Sequence, residues 1–150
     1  ESDLFLSNAV FQWLNDPATF FGRLAMKLRK GGFLAFTTFG PETLREISAL
    51  TGNGLTYQTV KELVNILESN GFEVLASREE LITQEFDSPL AALRSLKETG
   101  VTAVAPARPW SRRRLAEFSD AYTGRFRLPN GNVPLTYHPI ALAAGKKLTK

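Results

Sequence analysis

Phe33-Leu-Ala-Phe-Thr-Thr-Phe39 is apolar on both faces of an extended chain. A strand with one face in water alternates apolar and polar residues. A run apolar on both faces reads instead as a central parallel strand, covered on both sides. Upstream, Phe21, Leu24, Ala25 and Leu28 fall at i, i+3, i+4 and i+7, one apolar helical face. Asp16 and Pro17 supply the N-cap and first position of that helix. Lys27, Arg29 and Lys30 in its last turn favour the dipole, and Gly31-Gly32 ends it. Further back, Asp3-Leu-Phe-Leu-Ser-Asn8 is a short buried-type strand. Strand, helix and strand in this order predict a parallel pair in a layered α/β domain.

The rest of the chain continues the alternation. Gly40-Pro41 opens a helix through Leu50, and Thr51-Gly-Asn-Gly54 breaks it. Thr59 and Glu62 form a capping box for a helix with Val60, Leu63, Val64 and Leu67 on one face, closed by Asn70-Gly71. Phe72 to Phe86 is strand-like, most clearly in its first half. Ser88-Pro89 starts a helix carrying Leu90, Leu93 and Leu96 and stopped at Gly100. Val101 to Pro109 is an irregular connection. Ser111 caps a helix with Leu115, Phe118 and Tyr122 on one face. Asn130-Gly131 is a turn, and Leu135 to Ala144 reads as a last strand.

At 150 residues, the chain fits one domain able to bury about two-thirds of its unfolded surface. Hydrophobic residues are 43% and charged residues 22%, as in an ordinary globular protein. No apolar run is long enough to cross a bilayer. Cysteine is absent, which excludes disulfides, thiolate metal sites and cysteine nucleophiles, and fits a cytoplasmic protein. With His138 the sole histidine, a metal centre is not expected. The net charge of +3 is clustered at Lys27, Arg29 and Lys30, at Arg112, Arg113 and Arg114, and at Lys146, Lys147 and Lys150. Each cluster is either a solubilising patch or a surface for an anionic partner.

A parallel pair binds its ligand at the carboxyl ends of its strands. Those ends are Ser7-Asn8 and Thr37 to Gly40. The stretch Ser7-Asn-Ala-Val-Phe-Gln12-Trp13 has the form S-N-x-x-x-Q-W and resembles that of the malonyl-acyl-carrier-protein methyltransferases of biotin synthesis. Leu28-Arg-Lys-Gly-Gly32 with Ala35 to Gly40, Leu90 to Gly100 with its Arg94-Ser-Leu-Lys97, and Leu135-Thr-Tyr137-His138 agree with the same family in the same order.

The resemblance implies an S-adenosylmethionine-dependent carboxyl O-methyltransferase of the α/β, class I (Rossmann-like) fold. The family sheet is mixed and seven-stranded, with the seventh strand antiparallel between the fifth and sixth. The chain corresponds to the C-terminal half, strands four to seven. It carries no G-x-G-x-G loop to grip the cofactor, so by itself it is expected to bind S-adenosylmethionine weakly or not at all and to be inactive. Residues 1–150 form one truncated domain, with 86–130 a helical insertion facing substrate and carrier. Pro139 conflicts with a central closing strand, since it removes a ladder hydrogen bond. Either the strand bulges there or its pairing stops early on one side.

By this resemblance Ser7, Asn8, Gln12 and Trp13 lie near the cofactor's methionine portion. The alternative is that Asn8 and Gln12 satisfy loop backbone and Trp13 is core. Arg94 and Lys97, three apart on one helical face, would bind a carboxylate or the carrier's phosphopantetheine phosphate, or else form a solvated face. Tyr137 and His138 are substrate-side candidates; on a strand only one can face the pocket. Arg112, Arg113 and Arg114 oppose the dipole of their helix at its first turn, and an acidic acyl-carrier protein bearing malonyl would give them a docking role. Two rival readings are a methyltransferase for another small carboxylate, of the trans-aconitate type, and a non-catalytic basic module. Nucleic acid is a poor partner because the basic clusters lack interleaved aromatics. The apolar strand 3–8, with nothing beside it, invites a homodimer through its edge.

Overall fold

The computed structural model describes residues 1–98 and 110–148. The expected helix stop at Gly100, the connection Val101 to Pro109 and Lys150 of the third basic cluster lie outside the described residues. The chain divides into two compact units. The first comprises Glu1–Pro41, Thr56–Glu80 and His138–Lys150; the second comprises Glu42–Leu55 and Leu81–Tyr137. The expected insertion, 86–130, falls inside the longer stretch of the second unit.

The first unit is a four-stranded sheet with two helices. Its strands are β1 (Ser2–Asn8), β2 (Leu28–Phe39), β3 (Phe72–Glu79) and β6 (Pro139–Lys146), in the order β1-β2-β6-β3. β1 and β2 are parallel, and β6 runs antiparallel to both β2 and β3. The last strand therefore enters between its neighbours, as the resemblance implied. Helix α1 (Pro17–Lys27) begins at an Asp16 cap whose carboxylate accepts the Thr19 N–H at 3.0 Å. Helix α3 (Val60–Ser69) begins at the Thr59–Glu62 capping box. Both helices cover one face of the sheet. Phe21, Leu24, Leu63 and Leu67 meet Leu34, Phe36, Leu142 and Ala144 there, all buried.

Three expectations fail in this unit. Helix α1 stops at Lys27, not at Gly31: Leu28 is already extended, with ψ 141°, and begins β2. Arg29 and Lys30 are thus strand residues, and Gly31, at φ +72°, sits in an irregular stretch where the β1–β2 register shifts. Strand β2 is buried on one face only. Leu34, Phe36 and Thr38 face the helices, while Phe33 is 51% exposed on the other side. Leu4, Leu6 and Leu75 share that open face among the described residues. Apolar composition alone does not say which faces are covered. Finally, Leu135–Ala144 is not one strand: β5 (Val133–Tyr137) and β6 belong to different sheets, and the chain breaks at His138. Pro139 is the first residue of β6, the one place in an interior strand where a missing N–H costs little.

The second unit pairs β4 (Ile82–Phe86) with β5 as a two-stranded antiparallel sheet, with α4 and α5 between the two strands in the chain. Phe72–Phe86 is accordingly two strands in two sheets. Helices α2 (Arg45–Thr51), α4 (Pro89–Glu98) and α5 (Arg112–Phe126) pack against the β4–β5 pair. Helix α2 starts later than Gly40-Pro41 suggested, after a turn that puts Leu44 at φ +56°. Helix α4 buries Pro89, Ala92 and Leu96 and packs Leu93 against the same core, so two leucines of the expected stripe face inward while Leu90 is 40% exposed. Helix α5 has the expected Ser111 cap and buries Phe118 and Tyr122. Gly131, at φ +90°, forms the turn after α5.

Candidate functional site

At the carboxyl ends of β1 and β2 the register sets Asn8 opposite Thr37. The Thr37 hydroxyl donates to the Asn8 side-chain oxygen. The Ala9 N–H donates to the Thr37 carbonyl at 3.0 Å and reaches its Oγ1 at 3.1 Å. A single 3-10 turn, Phe11–Trp13, follows. Its Gln12 amide donates to the Ala9 carbonyl at 2.6 Å, and the Thr38 hydroxyl donates to Gln12 Oε1 at 3.3 Å. Asn8 and Gln12 thus shape the loop through their own hydrogen bonds. Thr37 and Thr38 belong to the strand end that the sequence marked, but their bonds to Asn8 and Gln12 were not foreseen.

Ser7 and Asn8 point to opposite faces, as neighbours on a strand must. Ser7 pairs with buried Phe36 on the helix-covered side. Asn8 is exposed beside a shallow groove of about 580 Å³ lined by Leu6, Ala35, Thr37, Ala141 and Ala143 among others. Trp13 is 48% exposed, so it is not core.

His138 opens the return of the chain into the sheet. Its ring is buried, and Nε2 lies 2.9 Å from a Glu79 carboxylate oxygen. In the second unit, Arg94 and Lys97 are exposed on α4. Tyr137 is half-buried. Burial pushes its hydroxyl above the ordinary tyrosine range, partly offset by a hydrogen bond with Ser95. Burial likewise pushes Tyr122 up, and its hydroxyl donates to the Pro134 carbonyl at 2.6 Å.

Glu46 of α2, which the sequence did not single out, is 2% exposed. It accepts the Thr136 N–H at 3.0 Å and the Thr136 hydroxyl, and lies 3.5 Å from the Arg45 guanidinium. Nothing in the local pattern marks it, because its partner is far along the chain. Of the three arginines in the first turn of α5, Arg113 pairs with Glu117 at 2.8 Å and Arg114 stands over the Trp110 ring at 5.9 Å. Both have partners on or beside their own helix. Among the described residues there is no cluster able to hold a metal ion, and no helix long and apolar enough to cross a membrane.

The strand order, with an antiparallel last strand entering between its neighbours, is that of class I methyltransferases. Solved structures agree. A candidate methyltransferase from Bacillus halodurans superposes with TM-score 0.61 at 16% identity, over 97% of this chain and 64% of that one. The YcgJ protein of Bacillus subtilis gives TM-score 0.61 at 11% identity, over 98% of this chain and 64% of that one. By sequence, the chain is a partial, C-terminal match to the malonyl-[acyl-carrier protein] O-methyltransferases. It is 44% identical to that of Bacteroides helcogenes over 97% of this chain and 53% of the relative. It is 43% identical to that of Chlorobium luteolum over 97% of this chain and 54% of the relative. The chain therefore spans about half the length of the curated relatives it matches. No protein-family model matches it.

Proposed function

We propose that this chain is the C-terminal part of an S-adenosylmethionine-dependent methyltransferase that esterifies the free carboxyl of malonyl-acyl-carrier protein. The observation that carries the reading is the match, at 44% identity over 97% of the chain, to a relative named for that reaction. The site geometry is compatible with it. The ends of β1 and β2 present Asn8 and Gln12 on a rigid parallel pair, in the orientation suited to a polar ligand group. Trp13 is exposed and available as a wall. Ser7 would contribute through its backbone, since its side chain faces the core.

S-adenosylmethionine supplies the methyl group, activated on a sulfonium. A malonyl carboxylate needs no base, because such acids ionise at about pH 3–4. The protein's task is alignment of carboxylate oxygen with methyl carbon, and alignment alone supplies about 7–11 kcal/mol. Arg94, Lys97 and Tyr137 are the substrate-side candidates of the second unit. Arg112 to Arg114 are assigned to carrier docking; Arg113 and Arg114 would have to share or leave their present partners.

The test uses the full-length enzyme with malonyl-carrier and, separately, trans-aconitate. Methyl ester on the carrier substrate and none on the tricarboxylate is expected. The reverse preference would sink the reading. Reversing Arg112, Arg113 and Arg114 to glutamate should raise KM for the carrier substrate, and unchanged carrier kinetics would remove the docking assignment. Calorimetry of the 150-residue chain with S-adenosylmethionine should give no saturable heat; tight binding would contradict that expectation.

We propose for the 150-residue chain a homodimer through β1, which lies at the edge of its sheet with Leu4 51% and Leu6 71% exposed. Sedimentation of the 150-residue chain should give a dimer that Leu6→Lys dissociates. A monomer at all concentrations rejects it.

A further inference from the structure

The chain passes between the two units after Pro41, Leu55, Glu80 and Tyr137. Three of these passages lie beside one cluster within the sheet unit. The His138 ring, 9% exposed, pairs with Glu79. The His138 backbone carbonyl accepts the Gly40 N–H at 2.7 Å, and the Pro139 carbonyl accepts the Glu80 N–H at 3.1 Å. Gly40 lies against the ring so closely that a Cβ there would stand 2.5 Å from His138 Nδ1 and 2.8 Å from the Ile140 side chain. The end of β2, the end of β3 and the start of β6 are thus tied together at one point.

These contacts lie beyond the regular ladder. The last paired residues are Phe39 with Pro139 and Glu79 with Ile140. Strand ends past the last pair ordinarily fray. A buried imidazole is also costly filler unless its nitrogens are satisfied, which argues that the residue is there for its bonds. Thr37 and Thr38, bonded to Asn8 and Gln12, immediately precede Phe39 and Gly40. The tie therefore anchors the same strand end that carries the proposed cofactor-side groups.

We propose that Glu79, His138 and Gly40 form a positioning clasp. His138 acts through the Gly40 backbone to fix the three chain ends by which the second unit is spliced into the sheet. It is a positioning residue, not a substrate contact. The kinetic part of the test rests on the methyltransferase reading; the mechanical part does not.

The experiment compares full-length wild-type enzyme with His138→Ala, Glu79→Ala and the conservative Glu79→Gln. Hydrogen exchange reads the mechanical part. Protection of the Gly40 and Glu80 amides should fall about tenfold in both alanine variants, with the mid-strand amides of Leu34 and Leu142 unchanged. With malonyl-carrier saturating, KM for S-adenosylmethionine should rise about tenfold while kcat stays within about threefold, and Glu79→Gln should recover most of the loss. Unchanged protection at both amides overturns the clasp. So does a lower Tm with KM and kcat unaltered, which marks a merely structural residue. So does a fall in kcat at constant KM, which marks a group acting in the chemical step. If wild-type enzyme methylates no malonyl-carrier, the functional reading fails, and the exchange result still decides the clasp.

Discussion

Replacing Phe21 by alanine is expected to destabilise the sheet unit by about 3–5 kcal/mol, the range for emptying a buried aromatic site. Phe21 has no exposed surface. Its ring lies 5.2 Å from Phe11, 5.8 Å from Phe20 and 5.5 Å from Phe36. These rings come from the 3-10 turn, α1 and β2, so one side chain joins the helix to the strands that carry the candidate site. The neighbours are themselves packed, Phe36 at 3% exposure, and cannot readily collapse into the space. Peptide-resolved hydrogen exchange in urea on the full-length protein should show the loss in peptides from α1 and β2. A change below about 1 kcal/mol would mean the site refills and is not a packed core.

Glu46→Ala should cost the second unit a comparable amount, about 3–5 kcal/mol, through a different mechanism. Removing the carboxylate leaves the N–H and hydroxyl of Thr136 without their acceptor, and Thr136 is 1% exposed. Each buried orphan costs about 1–3 kcal/mol. The Arg45 contact adds little, because its guanidinium is half in water. Glu46→Gln separates the two effects. Its oxygen can accept the Thr136 N–H and its amide can donate to the Thr136 hydroxyl, so it should cost only about 1 kcal/mol. Exchange in urea, read in peptides from α2 and β5, checks both variants. Equal losses for alanine and glutamine would show that charge, not hydrogen-bond satisfaction, holds the site.

Features set by near neighbours were legible in the sequence. Asp16, Thr59 and Ser111 each cap a helix because the acceptor and the N–H it takes lie three residues apart. The stripes of α3 and α5 predicted their buried faces for the same local reason. The misreadings share another cause. Leu135–Ala144 is continuously strand-like, yet its two halves pair with strands in different units. Phe72–Phe86 divides in the same way. On α4 the expected leucines at 93 and 96 pack inward, but Leu90 stays exposed and Pro89 and Ala92 are buried in addition. Periodicity says that a segment is strand or helix; it does not say which surface it will meet.

The same division runs through the candidate site. The S-N-x-x-x-Q-W stretch marked the end of β1, and the resemblance implied that β6 would enter between its neighbours. Neither contained the pairing of His138 with Glu79, 59 positions away, or of Thr136 with Glu46, 90 positions away. By itself the sequence determined the helix caps, the alternation of elements and the family likeness, because these rest on short-range hydrogen bonds and residue order. The tertiary structure alone decided which face of β2 is buried, where the last strand begins, and which distant polar groups meet. Those outcomes depend on closing long loops, and the chain meets that entropy only when the whole set of contacts forms together.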